Sequence, residues 1–192
     1  MCMEYKKIHS CPNNCILYKK NLELLKSCPS CWLSHYKLKK NDDIIEEMEK
    51  HRPSVKVVWH LPIIPRMKRL FAYPNDAKNL RWHAYERKCD GMYRHPANSI
   101  QWVKIDDKFP KFGKESRNIR LGLTTNGINY FCNLSTNHNS WHVLLVIYNL
   151  PPGLCMKRKY MMLSLMIFGS RHLGNDINVY LSPLIEDFKL YD

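Results

Sequence analysis

Apolar positions fall into two regimes along this chain. In the last third they form continuous runs: Arg120 to Thr125, Trp141 to Tyr148 (WHVLLVIY) and Tyr160 to Phe168 (YMMLSLMIF). Turn formers bound them, including Gly127, Pro151-Pro152-Gly153 and Gly169, so each run reads as a strand. Asn175 then caps a pattern of period 3.6, with Ile177, Tyr180, Leu181, Leu184, Ile185 and Phe188 on one helical face. Pro183 lies inside it and is expected to kink the helix or restart it after Ser182. Upstream, His51 to Asn118 reads mainly as helix. Pro65 sits near the start of a helix over Pro62 to Phe71, Asn75 can cap Asp76 to Arg87, and Ser99 can cap Ile100 to Phe109. Gly91, Pro96 and Pro110 punctuate these elements, and Leu70, Leu80, Trp82 and Trp102 read as core. The expected fold is α+β, divided into residues 1–40, a linker or short helix at 41–50, a helical region at 51–118 and a β-β-β-α segment at 119–192.

Composition adds a location for charge. With 192 residues, 45% of them apolar, the chain is long enough for one ordinary domain and a small module. It has no run of 18 apolar residues, and its first residues, Met1-Cys2-Met3-Glu4-Tyr5-Lys6, lack the apolar core of a signal peptide. The expectation is an intracellular soluble protein with no membrane segment. Of the net charge of +13, most falls in residues 52 to 120, where sixteen Lys and Arg face six Asp and Glu. Trp59, Phe71, Tyr73, Trp82, Tyr85, Tyr93 and Trp102 are interleaved with these cations. Such a stripe suits a polyanion such as DNA, because neutralising phosphates releases condensed counterions. A solvated basic surface over an aromatic core fits the same pattern. Under the first reading the candidate phosphate contacts are Arg66, Lys68, Arg69, Lys78, Arg81, Arg87, Lys88 and Arg94.

Four of the eight cysteines sit early, as Cys11-Pro-Asn-Asn-Cys15 and Cys28-Pro-Ser-Cys31. Zinc takes four tetrahedral thiolate or imidazole ligands, and two short Cys pairs a dozen residues apart let two knuckles close on one ion. Cys11, Cys15, Cys28 and Cys31 are therefore candidate ligands of a closed, structural zinc site, in place of the core that so few residues cannot build. Trp32 stands where a knuckle often has Gly. A second string, Cys132, His138 and His142, offers no fourth ligand or orienting carboxylate nearby and reads as a polar loop.

Several long blocks carry a resemblance. The segments CPNNCILYKK, LPIIPRMKRLF, LRWHAYERKCDGMYRHPANSIQWVKIDDKFPKF, RNIRLGLTTNGIN, WHVLLVIYNLPPGLCMKRKYMMLSLMI and GNDINVYLSPLIEDFKL, in this order from about Tyr5 to Leu190, resemble the transposase of CACTA-type (En/Spm class) plant DNA transposons. The resemblance implies a nuclear DDE/D transposase that binds element ends and, with Mg²⁺, cuts and rejoins DNA on an RNase H-like core. The β-β-β-α segment would then be the first half of that core. Two-metal phosphoryl transfer needs acidic ligands.

Where the family has a T-D-G block, this chain has Thr125-Asn126-Gly127, so its first catalytic Asp falls on Asn126. An amide offers one neutral oxygen and no charge. The remaining family carboxylates are expected beyond residues 176–190, on segments outside this chain, and Asp176, Glu186 and Asp187 are expected as helix cap and surface charges. Trp32, Cys132, His142 and Gly153 also depart from the family, which has Gly, Gly, Pro and Trp there. The expectation is an inactive remnant that has lost its Mg²⁺ site; the alternative is a domesticated zinc- and DNA-binding or partner-binding module. The first strand is further expected as an open apolar edge, prone to self-association.

Overall fold

The computed structural model describes residues 4–37, 52–129, 139–169 and 177–189. In chain order the elements are β1 (Lys6–Ser10), β2 (Leu17–Tyr18), β3 (Lys56–His60), α1 (Ile64–Ala72), α2 (Pro74–Leu80), α3 (Trp82–Tyr85), α4 (Ile100–Lys108), α5 (Pro110–Lys114), β4 (Leu121–Asn129), β5 (Asn139–Ile147), α6 (Pro152–Cys155), β6 (Met162–Gly169) and α7 (Ile177–Lys189). The fold is α+β, with a six-stranded antiparallel sheet in the order β2-β1-β3-β6-β5-β4. The chain divides into two compact units that interleave in sequence. One comprises Met1–Pro62, Thr125–Val143 and Ser164–Asp192; the other comprises Ile63–Thr124 and Leu144–Leu163.

In the first unit β1 pairs with β2 (His9 opposite Tyr18) and with β3 (Ile8 opposite Val58), and β3 pairs with β6 (Val58 opposite Ile167). β3 and β1 were not anticipated. The reason lies in β3, whose buried face presents Lys56, Val58 and His60 while Val57 and Trp59 are half-buried. Alternation is present, but two of its inward residues are ionisable, which inverts the usual signal. Helix α7 packs against β3, with Asp187 meeting His60 and Tyr180 meeting Lys56, and its buried residues are Tyr180, Pro183, Leu184 and Asp187. It continues through Pro183 as one helix, so it does not restart after Ser182. The expected face holds in part: Tyr180 and Leu184 are buried and Ile177 and Leu181 half-buried, whereas Ile185 and Phe188 are exposed. Asp187 is not a surface charge. It is buried and meets His60 Nε2 at 3.2 Å. Glu186 does face outward, taking Lys19 Nζ at 2.8 Å and Lys20 Nζ at 3.0 Å, and these two ammonium groups bring its carboxyl down to about 2. Asn175 and Asp176 lie outside the described residues.

The second unit holds α1 to α6. Pro65 lies in the first turn of α1, whose Met67 and Leu70 are buried. Asn75 does not cap the next helix: Tyr73 occupies that position, Pro74 begins α2, and the run to Arg87 is broken into α2 and α3 at Arg81. A proline at the first helical position has no N–H to satisfy, so it starts a helix well without a side-chain cap. Ser99 does cap α4, its Oγ accepting from Trp102 N at 3.3 Å. The buried side chains include Leu80, Trp102, Leu145, Ile147 and Leu150. Asp76 is buried in the first turn of α2, where Lys159 Nζ (2.7 Å) and Tyr160 Oη (2.8 Å) both donate to Oδ1. The bond from Lys159 holds its carboxyl below the usual range.

β4 extends beyond the expected strand, through Asn126 and Gly127. Gly127 is no turn here: a Cβ on it would stand 3.1 Å from the Trp141 indole, so the residue marks a close approach.

Candidate metal centre

Two turns of similar build bring the early cysteines together. In the first, Cys11 N donates to Ile16 O (3.0 Å) and Asn14 N to Cys11 O (3.0 Å); in the second, Cys28 N donates to Leu33 O (2.9 Å) and Trp32 N to Cys28 O (2.8 Å). Each turn passes through the left-handed region without glycine, at Asn14 (φ 63°) and Trp32 (φ 60°). Trp32 is 79% exposed, so its side chain gains little burial for that conformation. β1 and β2 flank the first turn, and an antiparallel bridge between Ser27 and Ser34 closes the second.

The ligand atoms of Cys11, Cys15, Cys28 and Cys31 all lie within 4.8 Å of one another. A tetrahedral zinc tetrathiolate, with Zn–S of about 2.3 Å, puts its sulfurs roughly 3.8 Å apart, and Cys11 Sγ to Cys31 Sγ is 3.4 Å. All four cysteines are free thiols, not disulfides. Cys11 and Cys28 are fully buried, on a small core with Tyr18 and Ile16. The donor set therefore fits a soft divalent ion such as zinc. Burial pushes the Cys15 thiol up to about 12 and raises Cys11 as well. At Cys28 burial is outweighed by the backbone N–H groups of Ser30 and Cys31 and by the neighbouring thiols, which bring it down to about 7. N–H groups aimed at sulfur, including Asn13 N to Cys11 Sγ at 3.4 Å, favour the thiolate a metal requires.

A second layer surrounds the first turn, and sequence reasoning did not find it. Asn14 Oδ1 accepts from the ammonium of Lys56 and from Tyr180 Oη (2.7 Å), and Ser10 Oγ lies 2.9 Å from Tyr180 Oη. All four residues are buried. Burial brings Lys56 down to about 8, against the opposing pull of Cys11.

The other candidates are dispersed. Asn126 is exposed on β4. Among the described residues the four cysteines are the one group of three or more Cys, His, Asp or Glu side chains close enough to share an ion, so the described residues do not fit a two-Mg²⁺ site. Cys132 and His138 lie outside the described residues, while His142 is buried on β5.

Within the second unit the basic residues divide. Arg66 is half-buried and donates to Leu163 O at 2.5 Å; Arg87 donates to Ala97 O. Arg94 pairs with Asp90, Lys78 with Glu86 at 3.6 Å, and Arg81 Nε donates to Ala77 O at 3.3 Å on its own helix. Lys68, Arg69 and Lys88 are exposed, as are the aromatic rings of Tyr73, Tyr85 and Tyr93.

No helix among the described residues is long and apolar enough to cross a membrane. No curated protein and no solved structure matches the chain. The model of the transposase family tnp2 matches residues 90–192, from the loop before α4 to the last residue, and leaves the cysteine turns outside the match. As that match covers more than half of the 192 residues, the chain belongs to transposase family tnp2.

Proposed function

We propose that this chain is a CACTA-type transposase derivative that retains structural zinc and DNA binding but not strand cleavage. Membership of the tnp2 family supports a transposition-related role with DNA as the partner and the nucleus as the compartment. In this reading β4, β5, β6 and α7 are the opening β-β-β-α of an RNase H-like domain, in which β4 carries the first metal-binding position. The observation that supports the loss of catalysis is Asn126, a neutral amide on β4 where the resemblance to CACTA-type transposases puts the first carboxylate. Two divalent ions held a few ångströms apart repel one another, and only anionic ligands offset that repulsion. What remains is a binding protein, whose exposed Lys68, Arg69 and Lys88 meet phosphates. Its use as a domesticated binding module is the same chemistry under a different selection.

Two measurements on the purified chain test this reading. Fluorescence anisotropy on duplex DNA is expected to show affinity falling steeply with salt; salt-independent binding, or none, refutes DNA binding. Incubation of supercoiled DNA with Mg²⁺ is expected to leave it intact. Nicking that disappears on Asn126→Ala would refute the loss of catalysis.

A further inference from the structure

Lys56 begins β3 with its side chain turned inward, and it is 3% exposed. Among the described residues its ammonium meets the amide oxygen of Asn14 and the ring of Tyr180, whose centroid is 5.2 Å away. Both are neutral. Among the described residues no carboxylate pairs with it, although Glu186, Asp187 and Asp76 all find cationic or histidine partners. A buried cation satisfied only by neutral groups is strongly disfavoured. The cysteine cluster lies next to it through Asn14, which belongs to the loop between Cys11 and Cys15, accepts from the ammonium at Oδ1 and donates its N–H to Cys11 O at 3.0 Å.

We propose that Lys56 is the buried counter-charge of a tetrathiolate metal centre at Cys11, Cys15, Cys28 and Cys31, positioned by Asn14 and Tyr180. The proposal rests on the zinc reading above and adds the residue that makes the site electrically tolerable. Four thiolates around one divalent ion leave about two negative charges, and the site is closed to water at Cys11 and Cys28. An anionic centre and an ammonium that are each poorly solvated compensate one another. The left-handed turn at Asn14 aims its Oδ1 at both Lys56 and Tyr180 Oη, while Ser10 approaches Tyr180 Oη from β1. β1, β3 and α7 thus hold the charge in place together. Lys56 is a positioning and charge-balancing residue and does not ligate the metal.

The test uses the full chain. Elemental analysis gives zinc per chain, and competition with a chromogenic chelator gives zinc affinity for wild type, Lys56→Met, Lys56→Gln and Lys56→Arg. Wild type is expected to hold one zinc. Deleting the charge is expected to weaken zinc binding about tenfold or more, with Lys56→Arg closer to wild type. Lys56→Gln keeps a donor for Asn14, so it separates charge from hydrogen bonding and serves if the Met variant does not fold. A wild-type chain without zinc overturns the zinc reading and this proposal with it. One zinc per chain bound equally well by Lys56→Gln or Lys56→Met overturns this proposal alone.

Discussion

His60 on β3 and Asp187 on α7 meet at 3.2 Å in a pair that is buried on both sides. Burial lowers the His60 pKa, and the Asp187 carboxylate opposes that shift without cancelling it. With His60 neutral at neutral pH, Asp187→Ala takes a hydrogen bond away from a buried imidazole and is expected to lower stability by about 1.5 kcal/mol, measured by urea unfolding at neutral pH.

Acid sensitivity follows from the histidines as a set. His9, His35, His60, His83, His95 and His142 all have pKa values lowered, in every case first by burial. A histidine depressed in the folded state takes up its proton more readily when unfolded. Its contribution is therefore complete above the unfolded value of about 6.5 and is lost as pH falls through the lower folded value. The thermal midpoint is expected to drop between pH 7 and pH 5, and a midpoint that rises in that window would contradict these burials.

Trp32 adopts φ 60° with its side chain 79% exposed. A left-handed conformation costs a residue with a Cβ about 1 kcal/mol or more, and glycine avoids most of that. Trp32→Gly is expected to raise the melting temperature of the metal-loaded protein by a few degrees, as about 1 kcal/mol does for a chain of this size.

Metal removal tests the cysteine cluster. A chelator is expected to lower the melting temperature, and Cys28→Ser to abolish zinc in elemental analysis. Retention is also expected to weaken in acid, since each thiol must shed a proton to bind as thiolate.

Asn149, fully buried, ties three segments of the second unit: its Oδ1 accepts from Arg120 N (2.6 Å), its Nδ2 donates to Asn118 O (2.8 Å), and it faces His83 Nδ1 (3.2 Å). Asn149→Ala takes these partners from the half-buried Arg120 N–H and Asn118 carbonyl. The expected loss is about 2 kcal/mol, read from denaturant midpoints.

The basic residues separate by role. Neutralising Lys68, Arg69 and Lys88 is expected to weaken DNA binding and flatten its salt dependence by about one slope unit for each phosphate left without its cation. Arg66→Gln is expected to act on stability instead, because Arg66 serves the carbonyl of Leu163. Equal effects of both changes on the salt slope would sink this division.

The grouping of Cys11, Cys15, Cys28 and Cys31, the Ser99 cap and the three apolar strands were legible because each depends on local spacing or a local hydrogen bond. β3 was not, because Lys56 and His60 occupy its inward positions, and only partners from distant segments, Asn14 and Asp187, make that possible. Asp187 was misread for the same reason: a carboxylate on a helix is taken as solvated until a histidine on another element is seen to meet it. Lys56 beside the cysteine loop was likewise hidden, since nothing near residue 56 in sequence announces a centre at residues 11 to 31.

β4, β5 and β6 each cross from one unit to the other, so neither unit is a continuous piece of the chain. No single cut in the gene can release either one whole. A fragment ending at residue 62 would keep all four thiols but leave behind β6 and α7, and with α7 the hydroxyl of Tyr180 that steadies Asn14. Pieces prepared separately would be damaged partners, and only the whole 192-residue chain can report on how tightly the cluster could grip a metal ion.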